Sequence, residues 1–275
     1  MTVAMRLTVG LLRLRPRRRS DDDPAAFRPA APVPASLRRR SVVDDERMRG
    51  REITTLRPRG AVAPVTIVYL HGGAYVHPLV PAHWWIVDRL LRATGATVVV
   101  PRYGLAPEST VDDALALLDE LVERIEGRLL LAGDSAGAGL ALAWTQRRRD
   151  AGQRMPDALQ LFSPWLDATM TNSGIAALEP DPMLDRARLL DSARSWARDR
   201  ALDDPLISPG LGDLDGLPPT VVHQGGQDLL APDARRARRS LEVRLYPDGF
   251  HDFMAAWWTA EARAVYTEVA RAARG

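Results

Sequence analysis

The sequence predicts an α/β protein with a mostly parallel central sheet, helices on both faces of that sheet and a helical cap. Short apolar runs alternate with stretches of helical periodicity, which is the pattern of strand–helix–strand units. The chain has 275 residues, 46% of them hydrophobic, and is therefore long enough to bury a substantial core. One charged segment, 168–205, interrupts the alternation and is expected to lie as a cap insertion over the carboxyl ends of the strands, where ligands bind in open α/β sheets.

The strands are predicted from short runs rich in apolar and β-branched residues. The final run alternates polar and apolar residues, which is typical of a half-buried strand near a sheet edge. The predicted strands cover residues 51–58, 65–70, 96–101, 128–132, 158–162, 219–225 and 241–247.

The helices are predicted from apolar residues that recur at a spacing of 3.6. Residues 112–125 show this period, and Asp112 and Asp113 suit the positive end of the helix dipole. Residues 138–149 form a second helix that ends in arginines. The last helix is expected to begin near Asp252 and to run to the C-terminus.

Residues 1–45 are expected to form an N-terminal cap segment and linker, and residues 46–275 the catalytic domain. Residues 1–40 hold ten arginines and three aspartates, a net of +7, so a formal charge of +2 leaves −5 for the remainder. This arginine arm could contact anionic lipid or nucleic acid. Because no aromatic residues interleave the arginines to stack on bases, we expect no nucleic-acid partner and favour a solvated arm.

The composition excludes several classes of site. The chain has no cysteine, which excludes disulfides, zinc–thiolate sites and thiol catalysis and fits a reducing cytoplasm, where we expect the protein to reside. No run reaches 18 apolar residues, so no membrane span is predicted. Arg6 interrupts the short apolar stretch at the start, which therefore makes a poor secretory signal. No cofactor or metal site is predicted.

A candidate nucleophile lies in the run Gly133-Asp134-Ser135-Ala136-Gly137. It fits the pattern G-x-S-x-G, follows a predicted strand and opens a predicted helix. That context suits a serine on a tight strand-to-helix turn, where the flanking glycines let the two elements approach. The alternative is a small residue in a Gly/Ala-rich helix start.

A serine hydroxyl needs a base to accept its proton, and the base needs a carboxylate to orient it. His251 follows the last strand in a loop, and Asp228 lies just past the preceding strand. The order Ser135, Asp228, His251 is the one used by α/β-hydrolases. Asp233 competes with Asp228 but suits a helix cap better, and Asp252, next to the base, is expected to point elsewhere.

Two further groups of residues are assigned by position. The loop after the strand at 65–70 offers the amides of Gly72 and Gly73, which with the amide of Ala136 are the predicted oxyanion donors. His223, inside a strand, is predicted to be packed, whereas His83 could line a pocket. Four large aromatic residues are candidates for the acyl or alcohol pocket, with core packing as the alternative: Tyr75, Trp84, Trp85 and Trp165.

Six motifs occur in register: HGGAY (71–75), PRYGLAPE (101–108), GDSAG (133–137), DDPLISP (203–209), LDGLPPT (214–220) and FHDF (250–253). On these, the chain resembles the hormone-sensitive-lipase-like esterases, the bacterial family IV of α/β-hydrolases, from about residue 60 to 255. The resemblance implies cofactor-free hydrolysis of short- to medium-chain carboxylic esters and an N-terminal helical cap. It also implies that His71 is structural and that Glu108 and Asp134 are supporting residues.

The chain departs from the family pattern at three places. Ala74 stands where a third glycine is common, the acid motif reads DLL rather than DPL, and only 22 residues separate Asp228 from His251. Hydrolysis of an amide or a lactone is the nearest alternative activity. A small-ligand-binding protein on the same scaffold is the alternative of another class, since the gibberellin receptors resemble this family but lack the histidine. A homodimer is possible.

Overall fold

The computed structural model describes residues 2–14, 29–178 and 180–275. Across this part of the chain, one sheet of eight strands runs in the order β1-β2-β4-β3-β5-β6-β7-β8. β1 and β2 pair antiparallel, as do β2 and β4, and all other neighbours are parallel. The strands are β1 (Ser41–Met48), β2 (Arg51–Pro58), β3 (Val65–Leu70), β4 (Thr97–Pro101), β5 (Arg128–Asp134), β6 (Ala158–Phe162), β7 (Thr220–Gly225) and β8 (Glu242–Tyr246).

Helices cover both faces of the sheet. Short 3₁₀ turns at Ser173–Leu178, Pro209–Leu211 and Phe253–Ala255 lie between them. The helices are α1 (Val3–Arg13), α2 (Ala35–Arg40), α3 (Pro81–Thr94), α4 (Val111–Glu123), α5 (Ser135–Asp150), α6 (Arg186–Ala197), α7 (Ala231–Ala237) and α8 (Ala260–Arg274).

The alternating residues of the central strands supply two apolar cores. On β3, Ile67 and Tyr69 join the core covered by α1, α2, α3 and α8. Val68 and Leu70 join the core covered by α4, α5, α6 and α7. Because successive side chains of a strand point to opposite faces, a fully buried parallel strand reads as a continuous apolar run. Together the two cores hold the carboxyl ends of β5, β7 and β8 in a fixed arrangement.

The structure confirms the predicted α/β class and most of the predicted strands. β2, β3 and β6 have the predicted bounds, and β8 lies at an edge of the sheet. The prediction that the last helix begins near Asp252 is wrong. Asp252 has a left-handed backbone and precedes a 3₁₀ turn, and α8 begins at Ala260 after the Thr259 side chain caps it. The boundary expected after residue 45 falls inside β1.

Residues 15–28, which hold five of the ten arginines of the arginine arm, lie outside the described residues. The segment 168–205 contributes one 3₁₀ turn and α6 between β6 and β7. No helix in residues 2–14, 29–178 and 180–275 is long and apolar enough to cross a membrane.

Candidate active site

Ser135 lies at the junction of β5 and α5, on a strained turn. Its φ of +51° is in the left-handed region, which costs free energy for a residue with a Cβ. The backbone N–H of Trp165 donates to the carbonyl oxygen of Ser135 at 3.0 Å. The side chain is buried, with a relative exposure of 5%. The sequence context predicted this strand–turn–helix placement.

The glycines that flank the serine are required by close packing. A Cβ at Gly133 would lie 2.7 Å from the carbonyl group of Gly137, and a Cβ at Gly137 would overlap the carbonyl oxygen of Leu70. Both contacts are with backbone atoms, which cannot swing away. The first turn of α5 therefore lies directly against the ends of β3 and β5.

The loop after β3 approaches the serine equally closely. A Cβ at Gly72 would lie 3.0 Å from Ser135 Cβ and would overlap a carboxyl oxygen of Asp134. Gly73, Ala74 and Tyr75 follow with φ of +118°, +54° and +64°. Three consecutive left-handed residues turn the loop back sharply, so its peptide groups pass beside Ser135. The amide of Ala136 belongs to the first turn of α5, where helix N–H groups lack intrahelical partners.

His251 and Asp228 form a buried pair at the ends of β8 and β7. His251 Nδ1 lies 2.9 Å from Asp228 Oδ2, which also accepts from the side-chain amide of Gln224 at 2.7 Å. The other oxygen, Oδ1, accepts from the Leu230 N–H at 2.9 Å. A carboxylate that accepts three hydrogen bonds is fixed in orientation, and it fixes the imidazole in turn.

The second nitrogen of the imidazole faces Asp252, contrary to the expectation that this side chain points elsewhere. His251 Nε2 lies 3.2 Å from Asp252 Oδ2. Among the described residues, no hydrogen bond joins Ser135 Oγ to His251. Burial lowers the pKa of His251, but the carboxyl groups of Asp252 and Asp228 more than offset this effect and raise the pKa to about 10. The left-handed backbone of Asp252 (φ 53°, ψ 35°) turns its side chain back onto the ring.

Asp252 also contacts Asp134, the residue that precedes the serine. The two carboxyl groups interact electrostatically, and Asp134 Oδ2 and Asp252 Oδ1 are both buried without a hydrogen-bond partner. Burial raises the pKa of Asp252 well above its ordinary value; the charge of His251 opposes this effect, and the charges of Asp134 and Asp228 add to it.

The surroundings of the Asp134 carboxyl group favour its ionised form. Asp134 accepts a short hydrogen bond from the Tyr69 hydroxyl, and His83 Nε2 lies 3.4 Å from its other oxygen. The Val80 N–H donates to His83 Nδ1 at 2.9 Å, so the proton of a neutral imidazole is on Nε2, facing Asp134. Burial opposes ionisation of Asp134, but His83 and Tyr69 outweigh it and lower the pKa of the carboxyl group.

Asp181, from the segment 168–205, supports the acid from the other side. Its Oδ1 accepts from the N–H groups of Met183 and Leu184, and its Oδ2 accepts from the Leu229 N–H at 2.8 Å. Burial and the nearby charge of Asp228 raise the pKa of Asp181. This contact ties the segment to the loop that carries the acid.

Two of the four predicted pocket residues lie beside the oxyanion loop and the nucleophile. Tyr75 and Trp165 are buried and stacked, with ring centroids 5.8 Å apart. Trp196 of α6, which the sequence did not single out, stacks on Tyr75 at 4.5 Å, and its indole N–H is buried without a hydrogen-bond partner. These three rings form one wall next to Ser135.

Trp84 and Trp85 are in other environments. Trp84 is buried in the core under α3 and donates its indole N–H to the Ala31 carbonyl at 2.9 Å. Trp85 is 44% exposed and packs against Trp258. We therefore assign neither to the pocket, because α3 directs them away from the serine. His83 does not line a pocket either, since it lies buried beneath Asp134.

The remaining candidates are structural. His71 is buried, stacks on Tyr103 and contacts the Gly72 carbonyl, and burial and then His83 lower its pKa to about 4. His223 is packed inside β7, with Nε2 3.1 Å from Gln160 Oε1. Asp233 contacts Asn172 and Arg236 rather than His251. Glu108 is exposed.

A protein family described as the alpha/beta hydrolase fold matches residues 67–255 of the chain. An acetyl-hydrolase from Streptomyces hygroscopicus is 36% identical over 200 residues, 68% of this chain and 67% of that protein. An esterase from Acinetobacter venetianus is 32% identical over 239 residues, covering 81% of this chain and 78% of that one.

The solved structure of an esterase from the bacterial hormone-sensitive lipase family has a TM-score of 0.81. Its sequence is 26% identical, and the match covers 100% of this chain and 98% of that one. Fold and site together define an α/β-hydrolase of the ester-hydrolysing class. The chain belongs to the hormone-sensitive-lipase-like family of α/β-hydrolases, and the resemblance drawn from the six sequence motifs is confirmed.

Four residues of the site were missed or misjudged from the sequence: Gln224, Asp181, Trp196 and Asp252. The first three reach the site only through tertiary packing and carry no motif of their own. Asp252 did carry a signal, because it stands next to the candidate base. Among the described residues, no group of histidine and acidic side chains could hold a metal ion.

Proposed function

We propose that the protein is a serine carboxylesterase in which Ser135 is the nucleophile, His251 the general base and Asp228 the residue that orients the base. The observation that carries the proposal is the Asp228–His251 contact of 2.9 Å beside a serine on a strained, left-handed turn. Asp134 and Asp252 are in contact and are the chain neighbours of Ser135 and His251. This contact brings the nucleophile and the base to the same corner of the sheet.

Acylation begins when Ser135 Oγ forms a bond to the carbonyl carbon of the ester. The hydroxyl proton passes to His251 Nε2, and the imidazolium is stabilised by the Asp228 carboxylate. The carbonyl π electrons move to oxygen, and the resulting oxyanion is held by the N–H groups of Gly72, Gly73 and Ala136. When the bond to the alcohol breaks, His251 returns the proton to the leaving oxygen. Water then deacylates the serine by the same route.

These reaction steps require the Nε2 atom of His251 to exchange one hydrogen-bond partner for another. In the structure Nε2 faces Asp252, whereas proton transfer needs it within hydrogen-bond reach of Ser135 Oγ. Catalytic hydrogen bonds are often long in the free enzyme and tighten in the substrate complex. Rotation of the ring about its contact with Asp228 would exchange Asp252 for Ser135.

The wall of Tyr75, Trp165 and Trp196 supports an apolar site for the acyl or alcohol group. Its side chains are at most 2% exposed, and the backbone N–H of Trp165 contacts the Ser135 carbonyl oxygen. The substrate class we propose is carboxylic esters with short to medium acyl chains, as the resemblance to the family implies.

The test is hydrolysis of p-nitrophenyl acetate, butyrate and octanoate by the purified protein, by Ser135→Ala and by His251→Ala. We expect both variants to lose at least three powers of ten in kcat, because triad members act as a unit. Ser41→Ala, which removes a buried hydroxyl at the start of β1, is the matched control and is expected to retain most activity. An unaltered rate in Ser135→Ala would exclude the proposed nucleophile.

A further inference from the structure

The outer face of α1 is apolar although it points to solvent. Four large apolar residues of this segment are 64–80% exposed: Val3, Leu7, Leu11 and Leu14. At 100° per residue they lie within a sector of about 80°, so they form one stripe along the helix. Arg6 and Arg13 are exposed along one edge of that stripe. Contiguous exposed apolar surface of this kind marks an interaction site.

The opposite face of α1 fixes the helix on the body of the protein. Met5 is fully buried in the core under α3 and α8. Thr2 donates from its N–H and its hydroxyl to Glu261 at the start of α8, at 3.1 and 2.8 Å. The indole N–H of Trp258 donates to Thr8 Oγ1 at 3.1 Å. These contacts fix the orientation of α1, so that the stripe faces solvent.

Three exposed tryptophans of the body lie beside α1, which Trp258 reaches through its hydrogen bond to Thr8. Trp85, Trp257 and Trp258 are 41–44% exposed. Trp258 packs against Trp85 at 6.4 Å and against Trp257 at 5.8 Å, in edge-on geometry. The Arg89 guanidinium lies over the Trp257 ring, 4.4 Å from its centroid. We call the four stripe residues and these three rings the α1–tryptophan surface.

The charge around this surface is positive. Arg6 and Arg13 flank the stripe, and Arg89, which also pairs with Asp88 at 3.3 Å, covers Trp257. Leucine and tryptophan beside arginine are the composition of helices that lie in the plane of a bilayer interface. Basic residues near an anionic leaflet are attracted to it. A second copy of the chain docked on this surface would instead bring the same arginines close to one another, where their like charges repel.

We propose that the α1–tryptophan surface docks the protein on an anionic lipid bilayer, with the leucines of α1 and the tryptophans at the level of the headgroups. This inference does not depend on Ser135 or on the ester reaction.

The test is flotation of the full chain with two kinds of vesicle, one of phosphatidylcholine alone and one of equal parts phosphatidylglycerol and phosphatidylcholine. We expect at least tenfold tighter binding to the anionic vesicles. Leu7→Ser/Leu11→Ser is expected to weaken that binding at least tenfold, and Arg6→Gln/Arg13→Gln to weaken it severalfold. The matched control is Val62→Ser/Leu211→Ser, which changes two apolar residues of 46% and 41% exposure elsewhere and is expected to bind like the wild type.

Hydrolysis of p-nitrophenyl butyrate by Leu7→Ser/Leu11→Ser at the wild-type rate would show that this variant is folded. Three results overturn the proposal: no binding of the wild type, equal binding of the wild type and Leu7→Ser/Leu11→Ser, or equal binding to both vesicle types. A wild type that is dimeric without lipid, and that becomes monomeric in Leu7→Ser/Leu11→Ser without any vesicle binding, also overturns it. That result would assign the surface to a second copy.

Discussion

Ser135 and His251 are connected in this structure through their chain neighbours. Asp252 Oδ2 lies 3.2 Å from the nitrogen that has to accept the serine proton, and Asp252 interacts electrostatically with Asp134. Asp252 therefore has two effects on the proposed base. Its contact with Asp134 fixes the histidine loop against the nucleophile turn, and its carboxyl group stabilises the protonated imidazole.

Asp252→Asn tests the second effect. His251 acts as a base only when neutral, so kcat/KM is expected to rise with pH through its pKa. The carboxyl group of Asp252 raises that pKa, which reaches about 10 in the structure. Removing it lowers the pKa, so the acidic limb of the pH profile is expected to move to lower pH by one unit or more. The measurement is kcat/KM for p-nitrophenyl butyrate against pH, with Asp215→Asn as the exposed control. A limb that stays in place would show that Asp252 does not govern the titration.

The residues of the proposed triad were predictable from the sequence because local motifs carry them. A serine between two glycines after a strand, and a histidine and an aspartate after later strands, are visible without coordinates. The indole of Trp196 and the carboxyl group of Asp181 reach the site from a segment more than 40 residues away along the chain from Ser135, so no local pattern indicates them. The environments of Trp84 and Trp85 could not be predicted, because the direction of these side chains depends on how α3 is rotated.

The strand-to-helix turn at β5 and α5 is the element on which the site depends. It brings a strained serine, the Gly72 backbone and the amide of Ala136 within one small volume. Glycine at 133 and 137 is what allows α5 to start against the ends of β3 and β5. The energy stored in the left-handed serine is held by this packing.

Gly137→Ala is expected to disrupt that turn. The added Cβ would overlap the Leu70 carbonyl oxygen, which belongs to the central strand and cannot move aside. We expect a loss of about 3 kcal/mol in the free energy of unfolding, seen as a lower Tm in calorimetry. Gly60→Ala is the control, because a Cβ there has no atom within 4 Å and Tm should be unchanged. Equal Tm values for the two variants would show that the turn tolerates a side chain.

The bounds of buried strands could be predicted from the sequence more accurately than those of exposed elements. β3 and β6 were predicted with their bounds because buried strands are nearly continuous apolar runs, and β2 because its sequence, REITTLRP, is rich in β-branched residues. β1 was missed because its sequence, SVVDDERM, is acidic and mostly exposed at the sheet edge. The start of α8 was misplaced because Asp252 resembles a helix cap, whereas its carboxyl group is engaged by His251 and Asp134.

Two buried histidines outside the proposed triad, His71 and His223, have lowered pKa values. Burial lowers the pKa of His71 to about 4, and burial with the charge of Arg244 lowers that of His223 to about 3. Both values lie below the ordinary value of 6.5, so protonation favours the unfolded chain. Their contribution to stability is complete above about pH 6.5 and is lost as the pH falls toward 4 and 3. His251 acts in the opposite direction, because its raised pKa favours the folded state until the pH approaches 10.

His223→Gln is expected to reduce the acid sensitivity of the fold. The variant lacks the group that takes up a proton on unfolding, so the difference in Tm between pH 7 and pH 4 should be smaller than in the wild type. A shift of one pKa unit corresponds to about 1.4 kcal/mol, so the change should amount to several degrees. Arg239→Gln at an exposed position is expected to behave like the wild type. A pH dependence that is unaltered in His223→Gln would contradict the assignment of a neutral buried imidazole.

The central claim is that Ser135 is the acylated residue, and covalent labelling with phenylmethylsulfonyl fluoride tests it most directly. The serine oxygen would displace fluoride from sulfur, with the proton passing to His251. We expect one sulfonyl group per chain by intact mass, located on Ser135 by peptide mapping, with loss of hydrolysis of p-nitrophenyl butyrate in proportion to labelling. We expect no label on Ser135→Ala. A label on another serine that abolishes activity, or full activity in a protein sulfonylated on Ser135, would contradict the account.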